Sequence, residues 1–342
     1  MNKILTIIIP TYNMEKYLRR CLDSLIIDEE GMKQLEVLVI NDGSKDSSSQ
    51  IAHEYQDKYP DTYRVIDKEN GNYGSCINRG LKEATGKYVK VLDADDWYNT
   101  KGLARHIRKL SSLSDDIDAV FSLYNKRDHN DIVIFTQPTY IDDNLVVEFS
   151  EYDFLTYAPR ALTMHSITYK KDLLIKIKLK LQHGISYTDL EYLYFPMKYL
   201  GKIAFDNNYI YQYFIGRKEQ TISISSKIKS VDNYYKVGSR ILRDYVLNID
   251  KRKETLCRNQ RHIIVLALYM YFYLNLLWIK PTSEACKNLV ELYGLAQKSD
   301  RNIFVHIKKI NKLPFIWIWE KFGIILSKSS AFRRMYKYLK EK

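Results

Sequence analysis

Three aspartates in four positions, Asp93-Ala94-Asp95-Asp96, follow the strand-like run Tyr88–Leu92. Carboxylates two residues apart can project together from a turn and share a hard cation. Mg²⁺ and Mn²⁺ take oxygen ligands, often one or two carboxylates plus the phosphates of a substrate. The other reading of the cluster is an acidic turn that caps the next helix, because Asp is a good N-cap. A second carboxylate, Asp42, follows the apolar run Val37–Ile40 within Asn41-Asp42-Gly43-Ser44. It could accept hydrogen bonds from a base N–H or a ribose hydroxyl, or serve a simple turn, which Asn, Asp and Gly favour for backbone reasons. A third cluster, Asn70-Gly71-Asn72-Tyr73-Gly74-Ser75, precedes a helical pattern. Glycine lets backbone approach a ligand, and a helix N-terminus favours anions. No Gly-Lys-Ser/Thr follows, so this is not a nucleotide-binding P-loop. The first strand runs into Pro10-Thr11-Tyr12-Asn13 rather than a Gly-x-Gly-x-x-Gly turn, which argues against a dinucleotide oxidoreductase.

The elements that must position these residues alternate in type. Residues 4–9 (ILTIII) form a continuous apolar run, as in a strand covered on both faces. Leu18, Cys21, Leu22, Leu25 and Ile26 recur at helical spacing. A strand at Val37–Ile40, a polar helix with Ile51 and Tyr55 on one face, and a strand at Tyr63–Ile66 follow. A helix from about Ser75 to Ala84 and the strand Tyr88–Leu92 complete the series. Strand and helix in alternation, with short links, predict a parallel α/β sheet. The polar clusters all stand just after strands, where open α/β sheets bind ligands. Beyond residue 118 the alternation loosens, with strand-like pieces at Ala119–Leu123, Ile132–Phe135 and Tyr209–Phe214. From about Val231 the chain reads as helical.

The formal net charge of +12 makes polyanions or anionic surfaces the natural partners. No nucleic-acid-binding module accompanies the charge, so nucleic acid is not an expected partner. Cys21, Cys76, Cys257 and Cys286 have neither metal-ligand spacing nor a disulfide pattern, which fits a reducing, cytoplasmic compartment. The N-terminal apolar run is too short for an export signal.

Taken as a set, these residues resemble family 2 glycosyltransferases, the inverting nucleotide-sugar enzymes of the GT-A fold. The pieces that carry the likeness are Ile7 to Asn13, Val39 to Asp46, Asn72-Tyr73-Gly74 with Asn78, and Leu92 to Asp96, in order across the first hundred residues. The resemblance implies an α/β fold with a Rossmann-like, mostly parallel sheet flanked by helices and a helical C-terminal extension. The GT-A domain would cover 1–225, with a nucleotide-binding half at 1–115 and an acceptor half at 116–225, and a helical region at 226–342. It implies a nucleoside pocket from Pro10, Thr11, Tyr12, Asn13 and Asp42, and further substrate contacts from Asn72, Gly74 and Asn78. Ile77 stands where many relatives carry Arg. Asp93 would contact ribose or metal, and Asp95 would be the principal ligand of a divalent cation, Mn²⁺ or Mg²⁺. Relatives carry an acidic pair at a helix start well downstream. The match here is Gly184 to Glu191, where Thr188 replaces the first acid and Asp189 becomes the candidate catalytic base. Arg217 and Gln220 would lie near the diphosphate. The implied reaction moves a sugar, with UDP as the expected carrier, to an acceptor hydroxyl on a glycan or lipid-linked glycan of the cell surface. His165 and His183 lie nearby, but a lone His is more often structural and neither is assigned a role.

Two other classes stay open: a sugar nucleotidyltransferase, and a nucleotide-sugar-binding member without turnover, which Thr188 favours. Residues 263–279 hold no charged side chain, but 17 residues is at the lower limit of a bilayer span, which needs roughly 20. They read as a buried helix, with contact to a membrane as the alternative. The last segment mixes Trp317, Trp319 and Phe322 with basic residues, as an interfacial helix does on anionic lipid. Peripheral attachment to the inner face of the membrane is therefore an expectation beside a purely cytoplasmic location.

Overall fold

The structure is a computed structural model that describes residues 3–139, 142–143, 145–158, 160–216, 224–249, 253–279, 281–310 and 319. Arg217, Gln220 and most of the aromatic and basic tail lie outside the described residues. The chain divides into two compact units, Met1–Arg217 and Lys218–Lys342.

In the first unit, β1 (Leu5–Thr11) is the centre of a parallel half-sheet with β2 (Leu35–Asn41), β3 (Tyr63–Asp67) and β4 (Tyr88–Val91). Leu5, Ile7, Ile8 and Ile9 are wholly buried, as are Val37 to Ile40. This explains the unbroken apolar runs: helices α1 (Glu15–Asp23), α2 (Glu29–Gln34), α3 (Ser48–Lys58) and α4 (Asn72–Glu83) connect or flank these strands. A Cβ at Gly80 of α4 would lie 2.5 Å from Ile8, so glycine there permits close helix–strand packing.

The sheet is mixed. Its order is β3-β2-β1-β4-β9-β6-β10-β5, with β7 on β6 and β8 on β10. The short β5 (Trp97–Tyr98) leads into α5 (Thr100–Ser112), then β6 (Ile117–Arg127), β7 (Val133–Thr136), β8 (Val146–Glu148) and α6 (Phe154–Tyr157). Strand β9 (Ile167–Lys170) joins the two halves by running antiparallel to both β4 and β6. After α7 (Lys171–Lys176) and α8 (Asp189–Met197), β10 (Lys202–Phe214) pairs parallel with β6. The chain leaves β1 toward β2 on one side and returns to β4 on the other. The β1/β4 gap is therefore a topological switch point, where such sheets form a ligand crevice.

The second unit is helical over its described residues, with α9 (Ile224–Lys229), α10 (Val231–Asn248), α11 (Glu254–Tyr273), a π-turn segment (Leu274–Trp278), α12 (Ser283–Ser299) and α13 (Asn302–Ile310). Asp300 accepts from Tyr245 Oη (2.8 Å) and Arg261 Nε (2.6 Å), which ties three helical segments through one buried carboxylate. The stretch Glu254–Trp278 is long and apolar enough to cross a membrane, yet 72% of its apolar window is buried inside the protein. Trp319, expected at a lipid surface, instead packs edge-on against Phe272 and Tyr293, with ring centroids 5.7 and 5.4 Å away.

Candidate active site

The loops after β1 and β2 are laced together. Asn13, with φ 54°, donates its N–H to Ser44 Oγ (3.0 Å), and its side-chain oxygen accepts from Lys45 N (2.8 Å). Thr11 is buried beneath them, Pro10 is half-buried, and the Tyr12 ring is 45% exposed, an aromatic face open to a ligand. Asp42 is buried and well occupied by the protein itself. It accepts from the Lys68 ammonium, from Gly71 N (3.0 Å) and from Asn72 N (2.8 Å). Asn72 adopts a left-handed φ of 66° to present that N–H. Asp42 thus shapes the 68–72 loop, whatever else it binds.

The acidic cluster sits at the switch point. Leu92 N donates to Ile8 O (3.0 Å), and a turn closed by Asp96 N to Asp93 O (3.0 Å) brings Asp93 and Asp96 together. Tyr73 Oη donates to Asp93 Oδ1 (2.7 Å). Asp96 is wholly buried and accepts from Tyr211 Oη (2.6 Å) and Phe214 N (2.7 Å). Burial, reinforced by the charges of Asp95 and Asp93, pushes the Asp96 carboxyl well above the usual range. Arg20 lies 3.6 Å over the Trp97 ring and donates to Asp95 O (3.3 Å), fixing the end of the cluster.

Among the described residues, ligand atoms of Asp93, Asp96 and His165 lie within 4.8 Å of one another. This differs from the expected pair. Asp93 is present, but the gathered group takes Asp96 and His165 and leaves out Asp95, because the i to i+3 turn juxtaposes positions 93 and 96. The His165 imidazole is held down to about 3 by burial first and then by Lys90 and Lys126, so it is neutral and able to ligate. Two carboxylates with one neutral imidazole suit a divalent cation, and the imidazole suits Mn²⁺ better than Mg²⁺. Sequence reasoning set His165 aside. Its only signal was its place just before a strand too short to stand out.

Asp189 opens α8. The nearby backbone N–H groups of Asp189 and Leu190 favour its ionised form, yet desolvation outweighs them and raises its pKa to about 6. Thr188, at the N-cap position of α8, makes no side-chain cap bond, and its buried hydroxyl has no hydrogen-bond partner. The Tyr73 hydroxyl is pushed well up by burial, then by Asp93, and also by the charge of Asp189. One phenol therefore feels both the acidic cluster and the candidate base.

Gly74 and Asn78 hold the segment that leads to Asp189. A Cβ on Gly74 would lie 2.3 Å from Gln182 O. Asn78 donates to Leu181 O and accepts from Leu181 N, both at 2.9 Å, like an extra strand residue. Gly184 N donates to Gly71 O (2.8 Å), and buried Glu191 accepts from Gln182 N (2.9 Å). The expected substrate contacts at Gly74 and Asn78 thus have a demonstrable part in the scaffold.

An acidic turn at the switch point and a raised carboxylate at a helix start, both felt by Tyr73, stand on a sheet of the GT-A type. Residues 6–176, half of the chain, match the family described as Glycosyl transferase family 2, and the chain belongs to that family. It is 37% identical over 123 residues to glycosyltransferase GlyA of Streptococcus pneumoniae, covering 35% of this chain and 17% of that protein. In the first curated relatives the matched stretch spans between 17% and 34% of their length. In fold it is similar to S. aureus TarS 1–349 in complex with UDP-GlcNAc, with TM-score 0.60 at 20% identity, covering 88% of this chain and 82% of that one. It is also similar to the mannosyltransferase PcManGT from Pyrobaculum calidifontis in complex with GDP-Man and Mn²⁺, with TM-score 0.54 at 15% identity over 90% and 85%.

Proposed function

We propose that the protein transfers a sugar from a nucleotide diphosphate sugar to an acceptor hydroxyl, with inversion, in the making of a cell-surface glycan. The observation that carries this reading is Asp189, a carboxylate raised to about 6 at a helix start, beside the Tyr73–Asp93 pair. A group with that pKa is ionised at neutral pH and still basic enough to take a proton. In the proposed step Asp189 accepts the acceptor's hydroxyl proton. The freed oxygen bonds to the anomeric carbon from one face as the bond to the diphosphate breaks on the other. Tyr12, with Pro10, Thr11 and Asn13, would form the nucleoside wall, and Arg217 and Gln220 would approach the diphosphate. Asp93, Asp96 and His165 would hold a divalent cation, with Asp95 adjacent. When bound, that cation supplies Lewis-acid stabilisation of the departing diphosphate.

TarS binds UDP-GlcNAc, and UDP is accordingly the carrier we assign. A hydrolysis screen across nucleotide sugars tests the assignment: UDP is released from one or more UDP-sugars above the GDP- and TDP-sugar background. Formation of pyrophosphate from a nucleoside triphosphate and a sugar phosphate would instead make the protein a nucleotidyltransferase.

We further infer peripheral attachment to anionic lipid through the basic tail, which holds Lys328, Arg333, Arg334, Lys337, Lys340 and Lys342. Each cation near such a surface contributes about 1 kcal/mol, and salt screens the attraction. The protein should sediment with anionic liposomes at low salt and release as salt rises. Retention in the supernatant at every salt concentration would remove this inference.

A further inference from the structure

The sheet face beside the acidic cluster carries a hydroxyl that the step above does not use. Strands β6 and β10 run parallel, with Tyr124 opposite Tyr211 and Lys126 opposite Tyr213. Residues two apart on a strand share a face, so these four side chains stand on one face at the carboxyl ends of both strands. His165 packs on that face, its ring 4.6 Å from Tyr211, 4.6 Å from Tyr213 and 5.6 Å from Tyr124. Strand β9 is antiparallel to both β4 and β6, so β4 and β6 point the same way. The end of β10 and the turn at 93–96 therefore stand at the same edge of the sheet.

The phenols at this edge differ in what their hydroxyls do. Tyr73 donates to Asp93 (2.7 Å) and Tyr211 to Asp96 (2.6 Å), so both are committed to the acidic cluster. Tyr213 is half-buried, and among the described residues its hydroxyl has no hydrogen-bond partner. Its ring is nonetheless held, by His165 and by the Lys126 ammonium 5.8 Å from its centroid. Burial first, then the charges of Asp96, Asp93, Asp95 and Asp189, keep the phenol well above its ordinary pKa. The hydroxyl thus remains a donor at neutral pH, in the field of both the acidic cluster and the candidate base. A partly desolvated donor without an acceptor is costly by itself, and a ligand oxygen relieves that cost.

We propose that the Tyr213 hydroxyl donates a hydrogen bond to a ring hydroxyl of the transferred sugar. The inference rests on the glycosyltransferase reading given above. In that reading the diphosphate lies at the acidic cluster, the acceptor hydroxyl lies at Asp189, and the sugar bridges the two. A held donor that senses both ends stands alongside the sugar. The nucleoside wall is built elsewhere, by the loops after β1 and β2. Tyr213 therefore contacts the part of the donor that UDP lacks.

Calorimetric titration of UDP and of UDP-glucose, UDP-galactose and UDP-GlcNAc, each with Mn²⁺ present, into the parent and the Tyr213→Phe variant tests the proposal. The substitution keeps the ring on His165 and removes only the hydroxyl. UDP should bind both proteins equally. The UDP-sugar that binds the parent should bind the variant roughly two- to tenfold more weakly, the usual worth of one hydrogen bond. Mn²⁺ affinity, read by electron paramagnetic resonance, should not move. Equal affinity of both proteins for that UDP-sugar would overturn the proposal. A loss of the same size for UDP would also overturn it, by placing the hydroxyl on the nucleotide. Weaker Mn²⁺ binding in the variant would reduce Tyr213 to a support for His165, and the sugar contact would be withdrawn. If the parent binds none of the UDP-sugars, the donor reading itself falls and takes the proposal with it, an outcome visible without the variant.

Discussion

Asp189→Asn is expected to lower sugar transfer by roughly 10²–10⁴-fold, the usual cost of losing a general base, while UDP still binds. The substitution keeps the size of the side chain and its place at the start of α8, and removes only the basicity. In the unaltered enzyme, kcat/KM should rise with pH around a midpoint near 6, because burial raises Asp189 from 3.8 to about 6 and the ionised form is the active one. Below that midpoint the carboxyl is protonated and transfer falls. The same shift has a stability consequence of opposite sign. A carboxyl raised in the folded state opposes folding when it is ionised. That penalty is fully present above about 6 and is gone below the unfolded value near 3.8. Asp189→Asn should therefore melt at a higher temperature than the parent at pH 7 and at the same temperature near pH 3.5. A variant that transfers normally would place the base elsewhere. A variant that loses transfer but gains no thermal stability would contradict the desolvated, ionised carboxylate.

Much of the first hundred residues was legible because their strands are covered on both faces. Runs such as Leu5–Ile9 and Val37–Ile40 have no polar alternation, and each ends in polar residues that the sheet leaves at its carboxyl edge. What escaped notice depends on distant contacts. Strand β9 is four residues long and contains buried Thr168, so neither length nor periodicity marks it. Yet β9 brings the preceding His165 to the end of β4, more than seventy positions back along the chain. Lys90 is a charged residue within an otherwise apolar strand. It is wholly buried, donates to Ile167 O (3.1 Å), and is lowered to about 7 by that burial. Its partner is invisible without the β4–β9 pairing. Asn78 presents a similar case, since its partner Leu181 is 103 positions away. The apolar stretch 263–279 illustrates a different limit. Composition cannot separate a core helix from a membrane span, and here burial against α10 and α13, with Arg261 paired to Asp300, supplies the distinction.

Removal of divalent cations is the second large effect we expect. Three ligand atoms from Asp93, Asp96 and His165 lie within 4.8 Å of one another, and the Asp96 carboxyl is pushed up by burial first and then by the neighbouring aspartates. Such a cluster is electrostatically unfavourable when ionised by itself, and a doubly charged cation reverses that balance. Chelation should therefore abolish transfer, and Mn²⁺ should restore it more fully than Mg²⁺, because a neutral imidazole is a better ligand for Mn²⁺. Lewis-acid assistance to a leaving diphosphate contributes about 3–4 kcal/mol, so Asp93→Asn should cost roughly 10²–10³-fold in kcat. Two further substitutions separate the expected ligand from the gathered one. If the cation sits as the geometry arranges it, His165→Ala raises the Mn²⁺ concentration needed for half-maximal activity by more than Asp95→Ala does. The reverse order would place the cation on Asp93 and Asp95, as the motif by itself implies. Direct Mn²⁺ titration followed by electron paramagnetic resonance reads the same ranking without turnover. Full activity in excess chelator, with no Mn²⁺ bound in that titration, would show that the turn at 93–96 is built for hydrogen bonds alone.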